Sequence, residues 1–99
     1  MATGAEGGRP RERRDLLYGG RVQGVGFRYT AREIAGRFEV AGYVQNLPDG
    51  CVRLVAEGET DELERFLAAV GAELERYIAD VRSRAAEATG EFVGFRIKY

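Results

Sequence analysis

Near the middle of the chain, Leu47-Pro48-Asp49-Gly50 stands between two short apolar runs. Proline presets one turn dihedral, aspartate bonds its own backbone, and glycine accepts the left-handed angle that closes a reversal. The flanking runs, Val40 to Asn46 and Cys51 to Glu57, are therefore predicted to be the strands of a hairpin. A helical pattern lies on each side of it. Phe27, Ala31, Ile34, Ala35 and Phe38 recur at helical spacing as one apolar stripe. Leu63, Phe66, Leu67, Val70 and Leu74 form a second stripe after Thr60, a predicted cap with Asp61 and Glu62 in the first turn. Gly71 weakens the end of that helix. Asp15 to Val22 reads as the first strand, and the highly charged Ala79 to about Glu87 as an edge strand. Phe92 to Tyr99 reads as a short final strand. The order is β-α-β-β-α-β, with the last strand open to division in two. It specifies a ferredoxin-like α+β sandwich, an antiparallel sheet with two helices packed on one face and right-handed crossovers.

Ninety-nine residues hold one domain, and 44% apolar residues suffice for its core. Met1 to about Arg13 carries glycines, Pro10 and charges but almost nothing apolar. Residues 1–13 are expected to be a disordered tail, and residues 14–99 the folded domain. A net charge of −1 gives no general pull toward nucleic acid. The charge is uneven, however: residues 47–99 hold eleven acids against seven bases, while Arg21, Arg28, Arg32 and Arg37 cluster earlier. No apolar run approaches the roughly 20 residues that cross a bilayer. The lone cysteine, Cys51, forms no internal disulfide, so a cytoplasmic location is expected.

The segment Gly20-Arg21-Val22-Gln23-Gly24-Val25-Gly26-Phe27-Arg28 joins the first strand to the first helix. Gly24 and Gly26 permit backbone angles that turn the amides of Gln23, Gly24, Val25, Gly26, Phe27 and Arg28 inward as an anion-binding nest. The helix N-terminus adds free N–H groups, and Arg28 adds a planar fork that fits phosphate oxygens. The same spacing also serves a plain strand-to-helix turn with a surface arginine, and spacing does not choose between them. A Walker loop is excluded, since Lys98 is the only lysine, and a dinucleotide fingerprint fails at Tyr29. Cys51 lies outside the loop and reads as a small strand residue. Without histidine the chain lacks the usual general base. Asn46 ends the second strand at the sheet edge that the glycine loop also leaves. Its amide could face the anion, or merely start the turn.

Those nine residues, together with Gly42-Tyr43-Val44-Gln45-Asn46-Leu47-Pro48-Asp49-Gly50, closely resemble the two signatures of the acylphosphatase family. Phe66-Leu67 and Gly90-Glu91-Phe92-Val93-Gly94-Phe95 also resemble it, so the likeness covers about residues 15–99. The resemblance implies a metal-free hydrolase that needs no cofactor. Arg28 and the loop amides would bind the phosphoryl group, and Asn46 would hold the attacking water. It implies a small acyl phosphate as substrate, with inorganic phosphate as product and competitive inhibitor; a monomer is expected, and the charge and the apolar pattern give no membrane or nucleic-acid partner. Tyr43 stands where tryptophan is frequent, Arg53 where an acid is, and Gly71-Ala72 where Gly-Pro is common; none touches Arg28 or Asn46. Similar domains occur within hydrogenase-maturation and carbamoyl-transfer proteins. A second reading is a module that binds a phosphate-bearing ligand without turnover. A third, an RNA-binding domain, is disfavoured by the missing paired aromatics and an acidic sheet edge.

Overall fold

Alternating residues set the first strand. Leu16 and Tyr18 are buried and Leu17 only half-buried, as the period-two geometry of a strand facing a core on one side requires. The computed structural model describes residues 10–99, so residues 1–9 of the expected tail lie outside the described residues. Strand β1 spans Arg11–Gly20. It starts four residues before the predicted Asp15 and takes in Arg11 to Arg13, which the sequence assigned to the tail. Charge pairing rather than apolar patterning supports this extension. Arg13 lies 2.9 Å from Glu91 and 3.6 Å from Glu57, and Arg14 lies 2.9 Å from Glu12 and bonds Glu64 as well.

Helix α1 covers Phe27–Ala35, β2 Ala41–Asn46, β3 Val52–Glu59 and α2 Thr60–Glu73. A 3-10 turn at Glu75–Tyr77 leads into β4, Ile78–Glu87, and the chain ends with β5, Phe95–Lys98. Phe38, expected on the α1 stripe, falls beyond the helix but still packs at the core edge, 6.0 Å from the Phe66 ring. Thr60 does not cap α2. Glu59, extended at φ −61° and ψ 143°, occupies the cap position, because β3 runs directly into the helix. The Thr60 amide donates to the Pro10 carbonyl instead.

The strand order is β4-β1-β3-β2-β5. Strands β1, β3 and β4 pair antiparallel, as do β2 and β3, but β5 runs parallel to β2. The sheet is thus mixed rather than wholly antiparallel. The two C-terminal strands lie at opposite edges, and the 88–94 segment carries the chain from one to the other. The buried Glu57 carboxylate anchors this crossing. It accepts hydrogen bonds from the Thr89 amide, the Thr89 hydroxyl and the Gly90 amide, each at 2.9 Å. Both helices bury their stripes on one face, where Phe27, Ile34, Leu63 and Phe66 join Tyr18 and Leu54 in a single core. Gly42 is required by packing, since a Cβ there would stand 1.9 Å from the Val55 carbonyl oxygen.

Candidate active site

Val52 on β3 pairs with Tyr18 of β1 on one side and with Asn46 of β2 on the other. Strands β1 and β2, both antiparallel to β3, therefore end at the same sheet edge. From that edge the glycine loop departs toward α1. Gly24 and Gly26 take φ of 77° and 82°, left-handed values that only glycine adopts cheaply. A Cβ at either would meet nothing within 4 Å, so the need there is conformational and the space above the loop is open. Gly26 caps α1 without a side chain, and the first helical turn carries no acid. Nothing among the described side chains competes with an incoming anion for the first-turn N–H groups.

The predicted residues divide by the role of their side chains. Phe27 is buried with its ring 5.0 Å from Tyr18, so only its amide is available to a ligand. Val25 packs against the core edge, and Gly24 and Gly26 are exposed. Gln23 contributes more than an amide. Its side-chain Nε2 donates to the carbonyls of Leu47 at 2.8 Å and Cys51 at 2.9 Å. These two residues close the β2–β3 turn, where the Leu47 amide donates to Cys51 and the Gly50 amide to Leu47. Gln23 thus ties the glycine loop to the hairpin that bears Asn46. Asn46 is half-buried, and its Oδ1 is the one buried side-chain polar atom without a hydrogen-bond partner among the described residues. Such an acceptor costs free energy unless something else occupies it.

Arg28 sits half-buried in the first turn of α1. Among the described residues no carboxylate forms an ion pair with it. Its guanidinium carbon instead lies 5.1 Å from the centre of the Tyr99 ring. The Tyr99 hydroxyl is 3.3 Å from that of Tyr29, and this contact leads the causes that raise the Tyr99 phenol pKa. Sequence reasoning missed Tyr99, because only the parallel course of β5 brings the C-terminal residue to this edge. The Gln23 clamp had a faint signal, a long amide beside the glycines, but its acceptors are backbone carbonyls that no residue type marks. Cys51 remains outside the loop. Burial first, then the charge of Asp49, pushes its thiol pKa up, which disfavours the nucleophilic thiolate.

The family model described as Acylphosphatase matches residues 14–97. An acylphosphatase of Salinibacter ruber is 43% identical over 100 residues, covering 99% of each chain. One of Methanospirillum hungatei is 50% identical over 56 residues, and that match spans 57% of this chain and 62% of the relative. The crystal structure of acylphosphatase from Bacillus subtilis aligns with a TM-score of 0.80 at 31% identity, covering 89% of this chain and 99% of that one. The matched span runs from β1 into β5 and takes in both the glycine loop and the Asn46 hairpin, so this chain belongs to the acylphosphatase family.

Proposed function

We propose that this chain hydrolyses the carboxyl–phosphate anhydride bond of a small acyl phosphate. A water oxygen attacks phosphorus in line, the bond from phosphorus to the acyl oxygen breaks, and the carboxylate leaves with the electron pair. The proton of the water passes to a phosphoryl oxygen, so the products are a carboxylate and inorganic phosphate. The observation that carries this reading is the meeting at one sheet edge of an uncapped helix N-terminus bearing Arg28 with the hairpin that bears Asn46, joined through Gln23. The family likeness supports the same chemistry.

An acyl phosphate already has a good leaving group, so the protein must mainly hold the phosphoryl group and stabilise its charge. Arg28 and the amides from Gln23 to Arg28 do this, because aligned N–H donors and a guanidinium gain strength where transition-state charge grows. Asn46 grips the water through its side-chain amide and aims it at phosphorus. The Gln23 clamp keeps these two halves in register. A cytoplasmic setting remains the expectation, since a chain with one cysteine forms no internal disulfide. The test is release of inorganic phosphate from a synthetic acyl phosphate by the purified protein, with Asn46→Ala alongside. Turnover by the wild type and its loss in the variant are expected. A wild type that binds inorganic phosphate but turns nothing over would overturn the hydrolytic reading and leave a binding module.

A further inference from the structure

The sheet has a second face, turned away from both helices. Leu16 and Tyr18 point into the core, so Asp15 and Leu17 point out on the other side, and their cross-strand partners point out with them. The register builds two rows across the sheet. One reads Arg82, Leu17, Arg53, Gln45 and Lys98; the next reads Arg84, Asp15, Val55, Tyr43 and Arg96. Together they carry five cations and one carboxylate, in a chain whose net charge is −1. Even that carboxylate is neutralised, because Arg53 grips both oxygens of Asp15. Among the described residues Arg82, Arg84 and Arg96 are exposed and form no ion pair. Spread over four inter-strand gaps, each row is about 19 Å wide.

The cations rim two hollows with apolar floors. One, of about 410 Å³, lies around Leu17 and Leu47 beside Arg53, Arg82 and Arg84. The other, also about 410 Å³, lies around Tyr43, Phe92 and Val93 beside Arg96, Lys98 and Glu91, whose carboxylate pairs with Arg13 at 2.9 Å. Phe92 meets Tyr43 edge-on with ring centres 5.9 Å apart, and Lys98 Nζ stands 4.8 Å above the Tyr43 ring. An acidic peptide would use the charge but not the hollows. A duplex would keep its bases stacked away from them. A single strand offers both a charge at every nucleotide and an unstacked planar base for each hollow. The geometry points to this face as a binding surface for single-stranded nucleic acid, separate from the phosphate loop on the helix side. The expectation of no nucleic-acid partner rested on the net charge, the missing paired aromatics and an acidic edge; on this face the fold gathers five cations, and the two acids beside the hollows, Asp15 and Glu91, are each paired with an arginine.

The test uses the full chain and fluorescein-labelled 12-nucleotide single strands of RNA and DNA, read by anisotropy between 50 and 200 mM salt. Binding is expected at the low end, weakening as salt rises. Each phosphate contact on a single strand contributes about 0.7 to the slope of log affinity against log salt. R82Q/R84Q and R96Q/K98Q should therefore each flatten that slope by about 1.4. The first pair should leave acyl phosphate turnover unchanged, and Arg28→Ala should bind the strands as the wild type does. No binding at 50 mM salt would overturn the proposal, as would slopes unmoved in both double variants. Equal affinity for duplex or for polyglutamate would overturn it too, since the face would then be a general anion surface. Loss of binding in Arg28→Ala, with the fold intact by circular dichroism, would assign the strands to the phosphate loop instead.

Discussion

A phosphoryl group presents several oxygens at once, and a guanidinium can hold two of them in plane. Arg28→Ala should therefore lose most turnover, and inorganic phosphate should no longer compete well against substrate. Arg28→Lys should rescue poorly, because an ammonium is a point charge without the fork. Steady-state kinetics with phosphate as inhibitor check both variants, and near-normal turnover in the alanine variant would make Arg28 a surface residue. In the proposed mechanism, Asn46 divides chemistry from binding. In Asn46→Ala, turnover should fall on the order of 10²-fold or more while phosphate affinity stays close to wild type. The fold should lose no more than about 1 kcal/mol, because the truncation removes an unpartnered acceptor rather than a bonded one. Turnover, phosphate titration and denaturation midpoint on this one variant settle the matter. A joint fall of activity and stability would reduce Asn46 to a turn residue.

Between elements, two contacts hold the architecture, one beside the site and one at the far end of the sheet. Gln23 joins the β1–α1 loop to the β2–β3 hairpin through two carbonyls. Gln23→Ala should cost about 1–2 kcal/mol of stability at roughly 1 kcal/mol per hydrogen bond. It should lower kcat more than it raises KM, since the loop keeps its amides but loses register with Asn46. An unchanged kcat would limit Gln23 to a structural tie. Glu57 anchors the crossing from β4 to β5. Burial raises its carboxyl pKa, but the amides of Thr89 and Gly90, the Thr89 hydroxyl and the nearby Arg13 outweigh it and hold the group below its ordinary 4.5. A carboxylate lowered on folding stabilises the protein above its unfolded pKa, and that stability is lost as pH falls through the folded value. Glu57→Gln should thus lower the neutral-pH thermal midpoint, by several degrees for a loss of about 2 kcal/mol. The gap to wild type should narrow as pH drops from 4.5 downward. A constant gap across an acid titration of the midpoint would show that ionisation of Glu57 contributes nothing.

Across the whole molecule, the proposed mechanism gives charge stabilisation to one arginine and backbone amides, in a chain without histidine. A chelator should leave acyl phosphate turnover unchanged, and a strong loss restored by Mg²⁺ or Zn²⁺ would sink the metal-free mechanism. No described helix is long and apolar enough to cross a membrane. Much of this architecture is local in origin and so legible in the chain. Pro48-Asp49-Gly50 marks a hairpin through backbone angles, the stripes around Ile34 and Phe66 mark helices through their period, and Gly24 and Gly26 mark a loop only glycine fits. Side-chain type and spacing carry those signals without reference to any distant residue. Other features come from partners far along the chain. The β1 extension to Arg11 depends on Glu57 and Glu91, and the pairing of β5 with β2 depends on the Glu57 anchor and the hydrogen bond from the Gly42 amide to the Gly94 carbonyl. The reach of Tyr99 to Arg28 follows from that pairing. The rows of arginine on the open face exist only once four pairings have set the register, for a shift of one residue would send every such side chain to the other side.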